Sequence, residues 1–251
     1  MSSTPTVALV TGSSRGIGAA TACALAAAGH AVAVNYVQNA DAADCVVAAI
    51  RVGGGQAVAI RADVTQPAEV AALVYETREQ LGTIGIVVNN AGWNQHADLA
   101  VLELADFERA LRGNLTSAYL VTRAALPDLL MAGASGAGRI VNVCSLRAMS
   151  GSDHGSHYAG AKAGLIGLTR SWAREFGPQG ITVNAVAPGY TRTDMNAAAF
   201  ATRESAIAAT IPLRRVAEPA EIAAVIAFLC SPGASYMTGE VVNVNGGVHI
   251  A

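Results

Sequence analysis

The sequence predicts an α/β fold, a doubly wound, seven-stranded parallel sheet lying between two helical layers. Short apolar runs alternate along the whole chain with helical stretches. The runs are apolar at consecutive positions, as strands buried on both faces must be, and such strands separated by helices form parallel sheets. The chain of 251 residues, 52% hydrophobic and 14% charged, can bury one large core without staples. No linker, repeat or low-complexity segment divides it, so residues 1–251 are read as a single domain.

The elements follow in order. Val7 to Val10 is the first strand, and the glycine-rich turn from Thr11 to Gly18 leads into an alanine-rich helix ending near Gly29. Ala31 to Tyr36 and Ala57 to Arg61 are the second and third strands, with Gly53 to Gly55 as a helix end between them. Asp63 and Val64 follow, and Asp63 suits a turn or a helix cap before Pro67. Ile86 to Asn89 is the fourth strand. A long helix is expected from Gly113 to Met131, with Asn114 at its start as an N-cap or a satisfied buried amide. After a Gly133 to Gly138 loop comes the fifth strand, Arg139 to Cys144, then a helix from Ser156 to Phe176 and the sixth strand, Ile181 to Val186. Pro188 and Gly189 form turns after strands. Met195 to Ile211, rich in alanine with Phe200, Arg203 and Glu204, reads as a mobile helical lid within about 190–212. Val241 to Val244 closes the sheet.

Composition removes several function classes. The net charge of -2, with no basic stripe interleaved with aromatics, argues against nucleic acid. Apolar runs are broken far short of the ~18 residues a membrane span requires. Met1 to Thr6 lacks the basic and apolar regions of a secretion signal, so a cytoplasmic location is expected. Cys23, Cys45, Cys144 and Cys230 have no C-x-x-C spacing, which favours reduced thiols over disulfides and gives no metal site.

The chemistry is carried by Tyr158 and Lys162, four apart on one helix face, with Ser145 thirteen residues before the tyrosine. A lysine ammonium beside the tyrosine ring favours phenolate, which makes a phenol of pKa about 10 usable near neutral pH. Ser145, at the end of a strand, can hydrogen-bond the same substrate oxygen. Such a step also occurs on ordinary solvated helices, so the glycine turn matters. Gly12, Ser13, Ser14, Arg15, Gly16, Ile17 and Gly18 join a strand to a helix, where glycines let backbone approach a pyrophosphate and the helix N-terminus offers N–H groups to it. The second strand ends at Asn35 and Tyr36 without the carboxylate that would hydrogen-bond an NAD ribose. Arg15 supplies a cation for a ribose phosphate, so NADP(H) is favoured and NAD(H) is the alternative.

Taken together, Thr11 to Gly18, Asn89 to Gly92, the set Asn114, Ser145, Tyr158 and Lys162, and Pro188 with Gly189 resemble the short-chain dehydrogenase/reductase family over essentially the whole chain. The resemblance implies a Rossmann fold and reduction of a ketone to a secondary alcohol, with Tyr158 as general acid. It implies that Lys162 also binds the nicotinamide ribose and that Asn114 holds a water linking Lys162 to solvent. It places Asp63 and Val64 near adenine, Asn90, Ala91 and Gly92 at the cofactor, and Pro188, Gly189, Thr191 and Thr193 along the nicotinamide and its phosphates.

Within the family, AKAGLIGLT from Ala161, GITVNAVA from Gly180 and Thr193-Asp194-Met195 look most like 3-oxoacyl thioester reductases. Members that dock an acyl carrier protein carry basic residues before the fifth and sixth strands. Here Ala132 to Gly138 and Gly177, Pro178, Gln179 are uncharged, which leaves that partner doubtful. Trp93, Asn94, Gln95, His96, Arg147, Asp153 and His154 form a more polar pocket wall than an acyl tunnel needs, and Arg147 is expected to contact an anion or hydroxyl. A sugar, polyol or other small polar alcohol is the alternative substrate. A hydrolase triad from Ser145, Asp153 and His154 or His157 lacks a G-x-S-x-G elbow, and His157 is expected to fill space beside Tyr158. A cofactor sensor without turnover would be expected to have lost Tyr158 or Lys162. By analogy a homotetramer, or a homodimer, forms through the Gly113 to Met131 and Ser156 to Phe176 helices, with Ala159, Ala163, Gly164 and Gly167 allowing close packing.

Overall fold

The computed structural model describes residues 6–194 and 197–250; Met195 therefore lies outside the described residues, as does most of the leading Met1 to Thr6 segment. The seven strands are β1 (Val7–Val10), β2 (Ala31–Tyr36), β3 (Ala57–Arg61), β4 (Ile84–Asn89), β5 (Gly138–Val143), β6 (Ile181–Pro188) and β7 (Val241–Val244). All pair in parallel, in the order β3-β2-β1-β4-β5-β6-β7. At the centre Leu9 lies opposite Ala33 on β2 and opposite Val87 on β4, and the β1–β4 register shifts by one residue between Val7 and Ala8. Winding reverses between β1 and β4, which opens a crevice at their carboxyl ends.

The alternation of side chains along each strand feeds two cores. Ala8, Val10, Val32, Val34, Ile86 and Val88 face helices α1 (Gly16–Ala27), α2 (Ala40–Val52) and α9 (Pro219–Cys230). Val7, Leu9, Ala31, Ala33, Ile84 and Val87 face α3 (Pro67–Leu81), α5 (Ser117–Gly133) and α7 (Ser156–Phe176). The remaining helices, α4 (Leu104–Leu111), α6 (Arg147–Ser150) and α8 (Ala197–Thr210), lie toward the carboxyl edge or beside it. No helix of the described residues is long and apolar enough to cross a membrane.

Three expectations change. The helix expected to begin at Gly113 runs on from α4 through a π-helical turn at Arg112–Thr116 into α5. Asn114 is thus mid-helix and caps nothing, while the buried-amide alternative fits. β6 extends to Pro188, so that proline ends a strand. β7 is half-buried at every position, unlike the other strands, because it lies at the sheet edge with no neighbour beyond it. The helix expected within Met195 to Ile211 is α8, and its Phe200 packs with Tyr190, Ile211 and Val216 in a small separate core.

Candidate active site

The glycine turn at the end of β1 is built by backbone hydrogen bonds that only small residues permit. Gly12 has φ +60, and a Cβ there would stand 3.0 Å from the Ala91 Cα. A Cβ on Gly18 would lie 2.5 Å from both the Asn90 Nδ2 and the Gly12 carbonyl oxygen, so α1 packs onto the turn without a side chain between them. Thr11 Oγ1 accepts from the backbone N–H groups of Asn90 and Ala91, each at 3.0 Å, and Asn90 Nδ2 donates to the Thr11 and Gly12 carbonyls. These bonds lock the post-β4 loop to the glycine turn. Arg15, the N-cap of α1, makes no side-chain cap, and the first turn holds no acidic residue. The N–H groups and partial positive charge at this helix start therefore remain available to an anion.

Residues expected at the cofactor divide into two groups. Asn35 is buried, its Oδ1 accepting from Gly12 N at 3.1 Å and its Nδ2 donating to the Ala62 carbonyl at 2.9 Å. It is a strut behind the turn. Asp63 Oδ1 accepts from Thr65 N at 2.9 Å, and Asp63 N donates to Glu69, so the turn-capping role is occupied; Val64 is buried. Arg15 Nη1 lies 3.3 Å from Asp194, both exposed, at the mouth of the crevice. Across that mouth, a Cβ on Gly16 would meet Thr193 at 3.2 Å. Thr191 is buried with Oγ1 donating to Gly189 O, and Gly189 N donates to Val244 O. A Cβ on Gly189 would stand 2.7 Å from Asn245. The tight turn, the open helix start and the flanking cation together fit a phosphorylated dinucleotide.

The four expected catalytic side chains converge at the carboxyl end of β5. Ser145 is buried just past the strand, its Oγ accepting from Arg147 N at 3.1 Å and near enough to the Tyr158 hydroxyl to favour its ionisation. Lys162, one helical turn after Tyr158 on α7, is buried, and its Nζ donates to the Val143 carbonyl at 2.7 Å. Asn114 projects from the π turn: Nδ2 donates to the Trp93 and Ala110 carbonyls and Oδ1 accepts from Trp93 N. Gly92 separates it from the lysine, since a Cβ there would lie 2.7 Å from Asn114 Oδ1 and 3.6 Å from Lys162 Nζ. Beneath the site, Asn89 Nδ2 donates to Thr122 and Asn142, and Asn142 Nδ2 donates to Thr169, tying β4, β5, α5 and α7 together.

Electrostatics here differ from the sequence expectation. Burial raises the Tyr158 phenol to about 12, opposed by the Ser145 hydrogen bond and the Arg147 charge. Burial also lowers Lys162 to about 8. Lys162 Nζ sits 5.8 Å from the tyrosine ring centre and is held by a carbonyl. Desolvation outweighs the contributions of Ser145 and Arg147, so phenolate is disfavoured and Tyr158 is poised as a proton donor.

Trp93 is half-buried, with the Arg109 guanidinium 4.4 Å from its ring centre and His157 6.2 Å away, ring to ring. His157 is buried, with its two ring nitrogens having no partner among the described residues. His96 is exposed. His154 is exposed and pairs through Nδ1 with Asp98, while Ala97 N donates to His154 O at 3.0 Å; the post-β4 and post-β5 loops are joined there. Asp98 and Tyr190 escaped the sequence reading. Tyr190, between Gly189 and Thr191, was signalled only by an aromatic in a run otherwise assigned to the cofactor.

Comparison with known proteins agrees with this geometry. Residues 12–249 match the family described as enoyl-(acyl carrier protein) reductase. A 3-oxoacyl-[acyl-carrier-protein] reductase of Synechocystis sp. is 44% identical, over 98% of this chain and 97% of that protein. Among solved structures, a blue fluorescent protein from a metagenomic library, in complex with NADPH, superposes with TM-score 0.91 at 38% identity, covering 98% of each chain. A putative gluconate dehydrogenase from Agrobacterium tumefaciens gives TM-score 0.91 at 35% identity, covering 97% of this chain and 95% of its own.

Proposed function

The chain belongs to the short-chain dehydrogenase/reductase family, and from that premise we propose that it uses NADPH to reduce a ketone, a 3-oxoacyl thioester or related carbonyl, to a secondary alcohol. The observation that carries the reading is the convergence of Ser145, Tyr158 and buried Lys162 at the end of β5. The reduced nicotinamide, when bound, supplies the hydride. Ser145 and Tyr158 hold the carbonyl oxygen between two hydroxyl groups, and Tyr158 donates its proton to that oxygen. The Lys162 ammonium stabilises the phenolate left behind and reaches the nicotinamide ribose. Asn114 Oδ1 and Lys162 Nζ flank the space at Gly92 through which a water returns the proton. Gly12, Ser13, Ser14, Arg15, Gly16, Ile17 and Gly18 cradle the pyrophosphate and ribose phosphate, with Asn90, Ala91, Gly92, Pro188, Gly189, Thr191 and Thr193 along the rest of the dinucleotide.

The Synechocystis relative is named for a carrier-protein substrate. In this chain Ala134 to Gly136 and Gly177 to Gln179 are exposed and uncharged, and Arg139 is buried against the Gly136 and Gly138 carbonyls. That surface supports a small-molecule carbonyl over carrier-protein docking. Exposed Cys23 and Cys45, both free thiols, support the reducing cytoplasm as its location. A second reading, a dehydrogenase of a small polar alcohol, is favoured by Arg147 and His154 at the pocket and by the likeness to a putative gluconate dehydrogenase.

Following nicotinamide absorbance with ketones, thioesters, sugars and polyols tests this. Turnover with NADPH and a ketone is expected, and Tyr158→Phe should lower it by about 10² to 10⁴ with cofactor affinity nearly intact. Cofactor binding without turnover of any substrate would overturn the enzyme reading in favour of a sensor.

A further inference from the structure

Arg147 stands two residues after Ser145, and its backbone N–H donates to the very hydroxyl that faces the substrate oxygen. The residue is half-buried, and its Nη2 donates to the Tyr190 hydroxyl at 2.9 Å, with Cζ 5.7 Å from the ring centre. Tyr190 is itself held. Its ring packs with Phe200, Ile211 and Val216, and its carbonyl accepts from Ala217 N at 2.9 Å.

Several other arginines are committed to acids or carbonyls. Arg78 meets Asp128, Arg192 meets Glu204 and Glu218, Arg215 meets Glu221, and buried Arg139 donates to carbonyls. Arg147 pairs with no carboxylate among the described residues, and Asp98, on the adjoining loop, is taken by His154. A guanidinium whose side-chain partner among the described residues is a phenol keeps most of its N–H groups for an incoming anion. The positive charge is also felt at the Tyr158 hydroxyl, which places it near the reacting carbonyl.

We propose that Arg147, oriented by Tyr190, is a carboxylate subsite, and that the substrate is an oxo acid or hydroxy acid whose carboxylate lies a few bonds from the reacting carbon. This deepens the reductase reading and rests on it. Arg147 is a specificity-determining residue and Tyr190 a positioning residue. The guanidinium suits the planar, two-oxygen geometry of a carboxylate, which a neutral thioester cannot supply.

The test compares acids with their near-isosteric primary amides, using pyruvate, acetoacetate and levulinate to vary the spacing of carboxylate and ketone. With the full-length enzyme and NADPH, kcat/KM for the acid at the best spacing should exceed that for its amide by about 10- to 100-fold, the range of a charge-assisted bond. In Arg147→Met that ratio should fall close to one, Arg147→Lys should keep part of it, and Tyr190→Phe should lower it with the charge still present. The ratio divides out general damage to the fold. Equal use of acid and amide at every spacing, or a ratio untouched in Arg147→Met, would overturn the subsite and leave the reductase reading standing. A preference for dihydroxyacetone phosphate over dihydroxyacetone with none for any carboxylate would also overturn it. Absence of turnover with every acid, amide and neutral ketone would instead bring down the reading beneath it.

Discussion

Lys162 Nζ lies 5.8 Å from the centre of the Tyr158 ring and gives a hydrogen bond to the Val143 carbonyl, so the lysine faces the tyrosine without contacting its hydroxyl. Burial separates their titrations, with Lys162 near 8 and Tyr158 near 12. Below about pH 8 the lysine is charged and the phenol protonated, the pair of states that proton donation requires. As pH rises through 8 the lysine loses its charge while the phenol keeps its proton. Ketone reduction, followed as kcat/KM, should therefore be level at lower pH and fall with one-proton dependence through about 8, whereas alcohol oxidation, which needs phenolate, should keep rising with pH. A reduction profile that stays level well above that point would remove Lys162 from the role.

The same burial carries a stability consequence. An unfolded lysine titrates near 10.4, so between about 8 and 10.4 the unfolded chain binds more protons than the folded one and stability rises with pH. Below that window the full burial penalty is present, about 3 kcal/mol from the shift. Lys162→Met removes the charge and forfeits the bond to Val143 O, worth about 1 kcal/mol. The expected result near neutral pH is an inactive protein with a higher Tm. A lower Tm in calorimetry would show that the ammonium is better compensated than its surroundings indicate.

Gly92 owes its identity to what lies on either side. A methyl group there would press on Asn114 Oδ1 and approach Lys162 Nζ. Gly92→Ala should lower kcat by at least about tenfold through displacement of these two groups, since small misplacements at a reacting site are costly. Gly92 is exposed, so little loss of Tm is expected. Unchanged kcat would mean that the space between Asn114 and Lys162 is not used.

The helix surfaces away from the sheet point to assembly. Tyr119 and Leu130 on α5 are exposed, and on α7 the Cβ positions of Gly160 and Gly167 meet nothing within 4 Å. Gly164, expected to help a neighbouring subunit approach, is already taken: a Cβ there would lie 3.0 Å from Leu115 of the same chain. Close pairing of the α5 and α7 faces between copies is expected to give a dimer, and the half-buried edge strand β7 a second contact and a tetramer. Sedimentation equilibrium should show the tetramer, and Gly167→Trp should shift it toward smaller species; a monomer at micromolar concentration would contradict both contacts.

Much of this molecule was legible because parallel strands buried on both faces must be written as apolar runs, and five of the seven are so buried. The spacing of Ser145, Tyr158 and Lys162 was equally plain, since a helix face fixes the last two and a strand end the first. The π turn around Asn114 was not. It carries Gly113 and Asn114, residue types of a helix start, inside a continuous helix, so the sequence suggested a start there. Asn35 was misjudged for a related reason: its place at the end of β2 was visible, but whether its amide points to the crevice or beneath the glycine turn depends on Gly12 and Ala62, brought in from other strands. The Tyr158 and Lys162 titrations depend on burial, which pairwise spacing does not encode. The partnership of Arg147 with Tyr190 joins loops after different strands and has no local signal at all.

Arg15 and Asp194 make the remaining test. Their ion pair spans the crevice mouth at 3.3 Å, with both side chains 69% exposed, so its own contribution to stability is small, up to about 1 kcal/mol. Its effect on cofactor choice is larger in kind, because Arg15 is the cation proposed for the ribose phosphate of NADP and Asp194 holds it beforehand. Phosphate must displace the carboxylate, and the carboxylate also repels it. Asp194→Asn removes the competitor while keeping the side chain's shape, so the Kd for NADPH should tighten by about two- to fivefold, and less so as salt is raised. NADH has no phosphate there, and its Kd should barely move. Arg15→Ala should do the reverse, weakening NADPH and sparing NADH. Titration of both nucleotides into both variants, followed by nicotinamide fluorescence, separates the contributions. Equal shifts for NADPH and NADH would place Arg15 at the pyrophosphate or the adenine, and the preference for NADP would then need another cation.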